Sequence, residues 1–127
     1  MVGLINYRIE RLHIEQLLLS CFLNQNKAHD MDRFEFEAYK LPFELFKANK
    51  ATKLISKAIY NFQLENKPID EDLILCYIQK HTQINSNEWL DISCKLWVSF
   101  DTMITYLNML KDIDKEENKM KVLEGLI

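Results

Sequence analysis

The chain has 127 residues, of which 48% are apolar and 28% charged, with a formal net charge of −3 and an isoelectric point near 5.6. That length suits one domain with its own core. Two glycines and two prolines leave too little turn chemistry for a many-stranded sheet, and the acidic balance lacks the basic excess that strong phosphate-backbone binding needs.

Residues 4–23 predict a first helix, apolar at Ile14, Leu17, Leu18, Cys21 and Phe22, with Arg8, Glu10, Arg11 and Glu15 expected on the outside. Asn24-Gln25-Asn26 ends it. A short second helix follows, capped by Asp30 or Asp32 and carrying Met31, Phe34, Ala38 and Leu41 at helical spacing, until Pro42 interrupts it. Phe43, Leu45 and Phe46 then form a connector too apolar for a solvated loop, expected to plug one end of the core.

The clearest local signals lie between residues 49 and 78. Ala51, Leu54, Ile55, Ala58, Ile59 and Phe62 recur at steps of three and four, one face of a helix, and Asn66-Lys67-Pro68 stops the pattern. Asp70 is placed to cap the next helix, with Glu71 and Asp72 at the positive end of its dipole. Ile69 and Ile74 hold the positions of a hydrophobic staple.

Beyond a polar stretch from His81 to Asn87, Asn85 and Glu88 have capping-box spacing before a helix carrying Trp89, Ile92, Leu96 and Phe100. From Asp101 on, Met103, Tyr106, Leu107, Leu110 and Ile113 make one apolar stripe, and Met120, Leu123 and Ile127 another. The charged run Asp114 to Lys119 lies between them, and two helices are preferred over one. The expected fold is therefore all-α, a compact bundle of about six or seven helices ending in a helix or helical hairpin. Residues 1–100 form its globular part and 101–127 a C-terminal amphipathic segment.

Chemistry-bearing clusters are sparse. His13, His29 and His81 have no second ligand at metal spacing and read as surface or hydrogen-bonded histidines, and no metal or other cofactor is expected. Without a glycine-rich loop, backbone amides have no way to close on a nucleotide's phosphates. Cys21, Cys76 and Cys94 are odd in number and lack CxxC spacing, which suits a reducing cytoplasmic setting. No apolar run approaches the roughly 20 residues that span a bilayer, and no signal peptide opens the chain.

Two surfaces invite a partner. Lys47, Lys50, Lys53 and Lys57 form a candidate basic strip, readable as a solvated helix face or as a dock for an acidic partner or a passing single strand. The end of the chain carries Met103, Met109 and Met120 among Tyr106, Leu107, Leu110, Val122 and Leu126, a stripe that either packs on the domain or meets a partner or a second copy of the chain.

The run Ile14-Glu15-Gln16-Leu17-Leu18, the aromatic Leu45-Phe46, the turn Lys67-Pro68-Ile69-Asp70, and Tyr106 and Leu110 before a charged helix together invite comparison with a known family. The chain from about Ile14 onward resembles the helical domain shared by the N-terminus of DnaB-type replicative helicases and the C-terminus of DnaG-type primases. A Pro-Ile-Asp turn is common in the helicase member. Asn49-Lys50-Ala51, however, stands where that member usually has a histidine, and the primase member is preferred. The resemblance implies a non-catalytic module that couples primase to the replicative helicase, with the helicase as partner, or primase if the chain is the helicase domain. Its implied contact residues are Met103, Tyr106, Leu107, Leu110, Leu123 and Leu126. A stand-alone helical adaptor and an enzyme with an unusual cysteine or histidine site are the alternatives.

Overall fold

The computed structural model describes the backbone of residues 4–95 and 99–125, with side chains from residue 10 onward. Its α-helices are α1 (Leu4–Leu23), α2 (Asp30–Ala38), α3 (Lys50–Leu64), α4 (Glu71–His81), α5 (Ser86–Ser93) and α6 (Phe100–Gly125), with short 3-10 turns at Gln25–Lys27 and Phe43–Leu45 and no strand among the described residues. The all-α bundle expected from the sequence is the observed fold.

Its centre is α1. From Ile14 to Gln25 every side chain is buried, because α3, α5 and α6 all pack against this helix. Ile14, Leu18, Cys21 and Phe22 join Ile55 and Ile59 of α3, Ile92 of α5, and Met103 and Leu107 of α6 in one hydrophobic cluster. Such a helix needs apolar residues around most of its circumference. Ser20 and Asn24 are tolerated because each has a partner at the end of α5: the Ser20 hydroxyl donates to the Lys95 carbonyl (3.2 Å), and the Asn24 amide donates to the Ser93 carbonyl (3.3 Å).

The apolar stripe that spacing marks on α2 is not the face it buries. Phe36 is its buried anchor, set edge-on to Phe22 (5.3 Å between ring centroids) and Phe100 (5.2 Å), while Met31, Phe34 and Ala38 face out. The helix has two apolar faces and touches the core with one. Edge-to-face contact with two rings favours the face holding Phe36. Asp32 fixes that choice by accepting the Phe100 backbone N–H (3.3 Å). The cap is also displaced: His29 occupies the N-cap position in extended geometry, and Asp30 and Asp32 lie in the first turn, where carboxylates favour the dipole. Leu41 is buried but lies past the end of α2.

The hairpin of α3 and α4 follows the sequence signals closely. All the expected α3 face residues are buried except Leu54, which is half-buried. Asn49 begins the helix with a capping box, its side chain accepting the Thr52 N–H (2.8 Å) while the Thr52 hydroxyl accepts the Asn49 N–H (3.2 Å). The stop is a Schellman motif rather than the proline alone. Asn66 adopts φ 56°, the Lys67 N–H reaches the Phe62 carbonyl (2.9 Å) and the Asn66 N–H reaches that of Gln63 (3.2 Å), and asparagine tolerates this left-handed geometry. Gln63 then holds the approach to the Phe43–Leu45 turn, accepting the Leu41 N–H (2.8 Å) and donating to the Tyr39 carbonyl (2.9 Å). In the connector Phe46 is buried, while Phe43 and Leu45 are half-buried.

Asp70 caps α4 as expected, accepting the N–H groups of Asp72 (3.1 Å) and Leu73 (3.3 Å), and the staple residues Ile69 and Ile74 are both buried. Asp70→Ala is expected to cost about 0.5–2 kcal/mol, read as a lower urea midpoint with unchanged slope. Asn85 caps α5 through the N–H groups of Asn87 (2.8 Å) and Glu88 (3.4 Å). That helix stops at Ser93 and Phe100 opens α6, so the expected run through Phe100 is not continuous; Leu96 lies outside the described residues.

Residues 100–125 form one helix, not two. The charged run at 114–119 does not break it, because Asp114 and Glu117 turn inward to a buried arginine. Met103, Leu107, Leu110 and Ile113 of α6 share the cluster of α1, so the first half of the expected separate segment belongs to the globular core.

Candidate interaction surfaces

Two residues expected outside, Arg11 and Glu15, are 3% and 0% exposed. The Arg11 guanidinium donates to the Glu15 carboxylate within α1 (2.8 Å), to Asp114 (2.9 Å) and Glu117 (2.8 Å) of α6, and to the Leu45 carbonyl (2.6 Å). Glu15 accepts the Ala48 N–H just ahead of α3 (3.0 and 3.1 Å to its two oxygens). Lys47 reaches Asp114 from outside (3.3 Å). One planar guanidinium thereby ties together α1, the entry to α3 and the middle of α6, a use of its fixed fork of donors that lysine would not reproduce.

The electrostatics agree with the geometry. Burial alone would lower the Arg11 pKa, but its hydrogen bonds to Glu15 and Asp114 and the charges of Glu15 and Glu117 outweigh it and raise it, so the group stays charged. Burial likewise pushes Asp114 up, and bonds from Arg11 and Lys47 overcome this and hold its carboxyl below the ordinary carboxylate range.

This lock divides α6 into three zones. Ahead of it, Met103, Leu107 and Leu110 are fully buried and Tyr106 is half-buried against the core. Three of the expected contact residues are thus core side chains: α1 covers the stripe that the sequence left unassigned. Beyond the lock Met120 is half-buried, whereas Val122 is 64% and Leu123 61% exposed above a shallow apolar surface that also takes in Lys115, Asn118 and Lys119. Leu123 therefore stands where a partner could reach it. Leu126 lies outside the described residues.

The basic strip is shorter than expected. Lys50, Lys53 and Lys57 are exposed on α3, whereas Lys47 precedes the helix and is drawn to Asp114. Among the described residues no three His, Cys, Asp or Glu side chains gather as a metal site, and no helix is long and apolar enough to cross a membrane. Cys21 is buried, and Cys76 and Cys94 are exposed. His81 packs edge-on to Tyr77 (4.8 Å), and His13 Nδ1 lies 3.5 Å from the Lys95 ammonium.

Sequence reasoning missed the Arg11 centre and the outward face of α2. The only advance signal for the first was the spacing of Arg11 and Glu15, four residues apart, which reads equally well as a solvated pair. Comparison with models of known families, with curated proteins and with solved structures gave no match.

Proposed function

We propose that this chain is a protein-interaction domain without catalysis of its own, acting in the cytoplasm. Its most specific form is the one the resemblance implies, a module that couples primase to the replicative helicase at a bacterial replication fork, with the helicase-binding domain of primase as the preferred member. The observation that supports an interaction role is the end of α6. A helix locked in its middle by a buried arginine carries two large apolar side chains, Val122 and Leu123, past the core. Fully burying an aliphatic side chain of this size contributes about 1.5–3 kcal/mol, and anchoring on a held helix spares much of the ordering cost of binding.

The test is calorimetric titration of the domain against purified replicative helicase and, separately, purified primase. Binding to helicase supports primase membership, and binding to primase supports helicase membership. Val122→Ser with Leu123→Ser is expected to weaken the complex roughly tenfold or more with helicity unchanged. Binding to neither protein would sink the replication-fork reading and leave the stand-alone adaptor. Full affinity in the double variant would remove the end of α6 as the contact.

A further inference from the structure

The outward face of α2 has the composition of a docking surface, far in sequence from the end of α6. Met31 is 79% and Phe34 73% exposed. At 3.6 residues per turn, Met31, Phe34 and Ala38 make one stripe almost directly opposite the buried Phe36. Leaving a phenylalanine ring in water forgoes more burial energy than any other single exposure on this helix. The same wheel sets Glu35 along one edge of the stripe, and Asp30 and Glu37 along the other.

The charges are unequally committed. Asp30 is paired with Arg33 (2.5 Å), and Asp32 is turned to the Phe100 N–H. Glu35 and Glu37 are exposed and have no ion-pair partner among the described residues. Nearby cations are occupied elsewhere: Lys40 donates to the Gln63 carbonyl (3.1 Å) and Lys27 to the Asn24 side chain (3.1 Å). The surface is thus an apolar ridge between two carboxylates, on a chain whose net charge is −3.

We propose that α2 docks a basic amphipathic helix of another protein, whose apolar side chains cover Met31 and Phe34 while flanking lysines or arginines meet Glu35 and Glu37. Apolar contact supplies the affinity, and the carboxylate rim sets the charge sign and speeds encounter. The mode is an amphipathic helix laid against an apolar face. It does not depend on the role given to the end of α6.

A fluorescently labelled peptide of about 18 residues built only of leucine and lysine, with leucine at helical spacing, serves as the probe, and the same peptide with glutamate for lysine is the control. Anisotropy titration is expected to show binding of the lysine peptide, weaker as salt rises, and none of the glutamate peptide. Met31→Ser with Phe34→Ser should weaken it roughly tenfold or more, whereas Val122→Ser with Leu123→Ser should leave it unchanged. Both pairs are exposed, so circular dichroism should match the parent chain in each. No binding of the lysine peptide, or equal affinity in the Met31 and Phe34 variant, overturns the proposal. Sedimentation showing a dimer of the parent chain that the Met31 and Phe34 variant abolishes also overturns it, since the face would then belong to a second copy.

Discussion

Replacing Arg11 with methionine is expected to destabilise the domain by about 3–5 kcal/mol, the usual cost of removing one partner from a buried ion pair. Against a total of about 5–15 kcal/mol for a domain, that is enough to bring it near unfolding. The loss is large because Glu15, at 0% exposure, would be left buried without the guanidinium it pairs with, while Asp114 and Glu117 lose their inward bonds. Arg11→Met with Glu15→Met should recover the part of the loss due to the stranded Glu15 carboxylate, since exchanging both members of a buried pair for apolar groups is close to neutral, while Asp114, Glu117 and the Ala48 N–H stay without their partners. Urea denaturation of the two variants measures this, and equal midpoints would show that a stranded Glu15 is not the source of the loss. The same centre sets the acid response. Asp114 is held below its ordinary range by Arg11 and Lys47, so its stabilising contribution is complete above the unfolded carboxylate pKa and disappears as pH falls below about 4. Midpoints taken across that window should fall less steeply in Arg11→Met than in the parent chain.

Leu110→Ala is expected to cost about 2–5 kcal/mol through lost burial and the cavity it leaves, whereas Leu123→Ala should stay within about 0.5 kcal/mol. The contrast follows from position on one helix: Leu110 lies in the cluster shared with α1 and Leu123 stands outside it. Paired with titration against the helicase, the two variants separate folding from binding, because a change in affinity at Leu123 without loss of stability belongs to the surface alone. Thermal and urea unfolding check the first half. An unfolding midpoint unchanged in Leu110→Ala would mean that α6 is not held against α1.

Local chemistry was legible without the fold. The α3 stripe, the Asp70 cap, the Ile69 and Ile74 pair and the Asn85 cap are all properties of a few consecutive residues, and helix geometry acts over that range. The all-α class followed equally from the scarcity of glycine and from spacing. Four features were decided only when the helices met. Arg11 and Glu15 look like a solvated pair until Asp114, Glu117, the Leu45 carbonyl and the Ala48 N–H arrive from distant segments to satisfy them. The same meeting keeps α6 continuous through a run whose charges alone suggested a break. Met31 and Phe34 look like core because their spacing is helical, yet a helix with two apolar faces gives no local reason to bury one of them, and the rings of Phe22 and Phe100 chose Phe36. Whether Met103, Leu107 and Leu110 packed on the domain or met a partner stayed open in the sequence because α1, from the other end of the chain, could not be placed over them from spacing. Periodicity states that a face must be covered; which face is covered, and by what, depends on contacts between residues far apart in sequence, and those are fixed by packing.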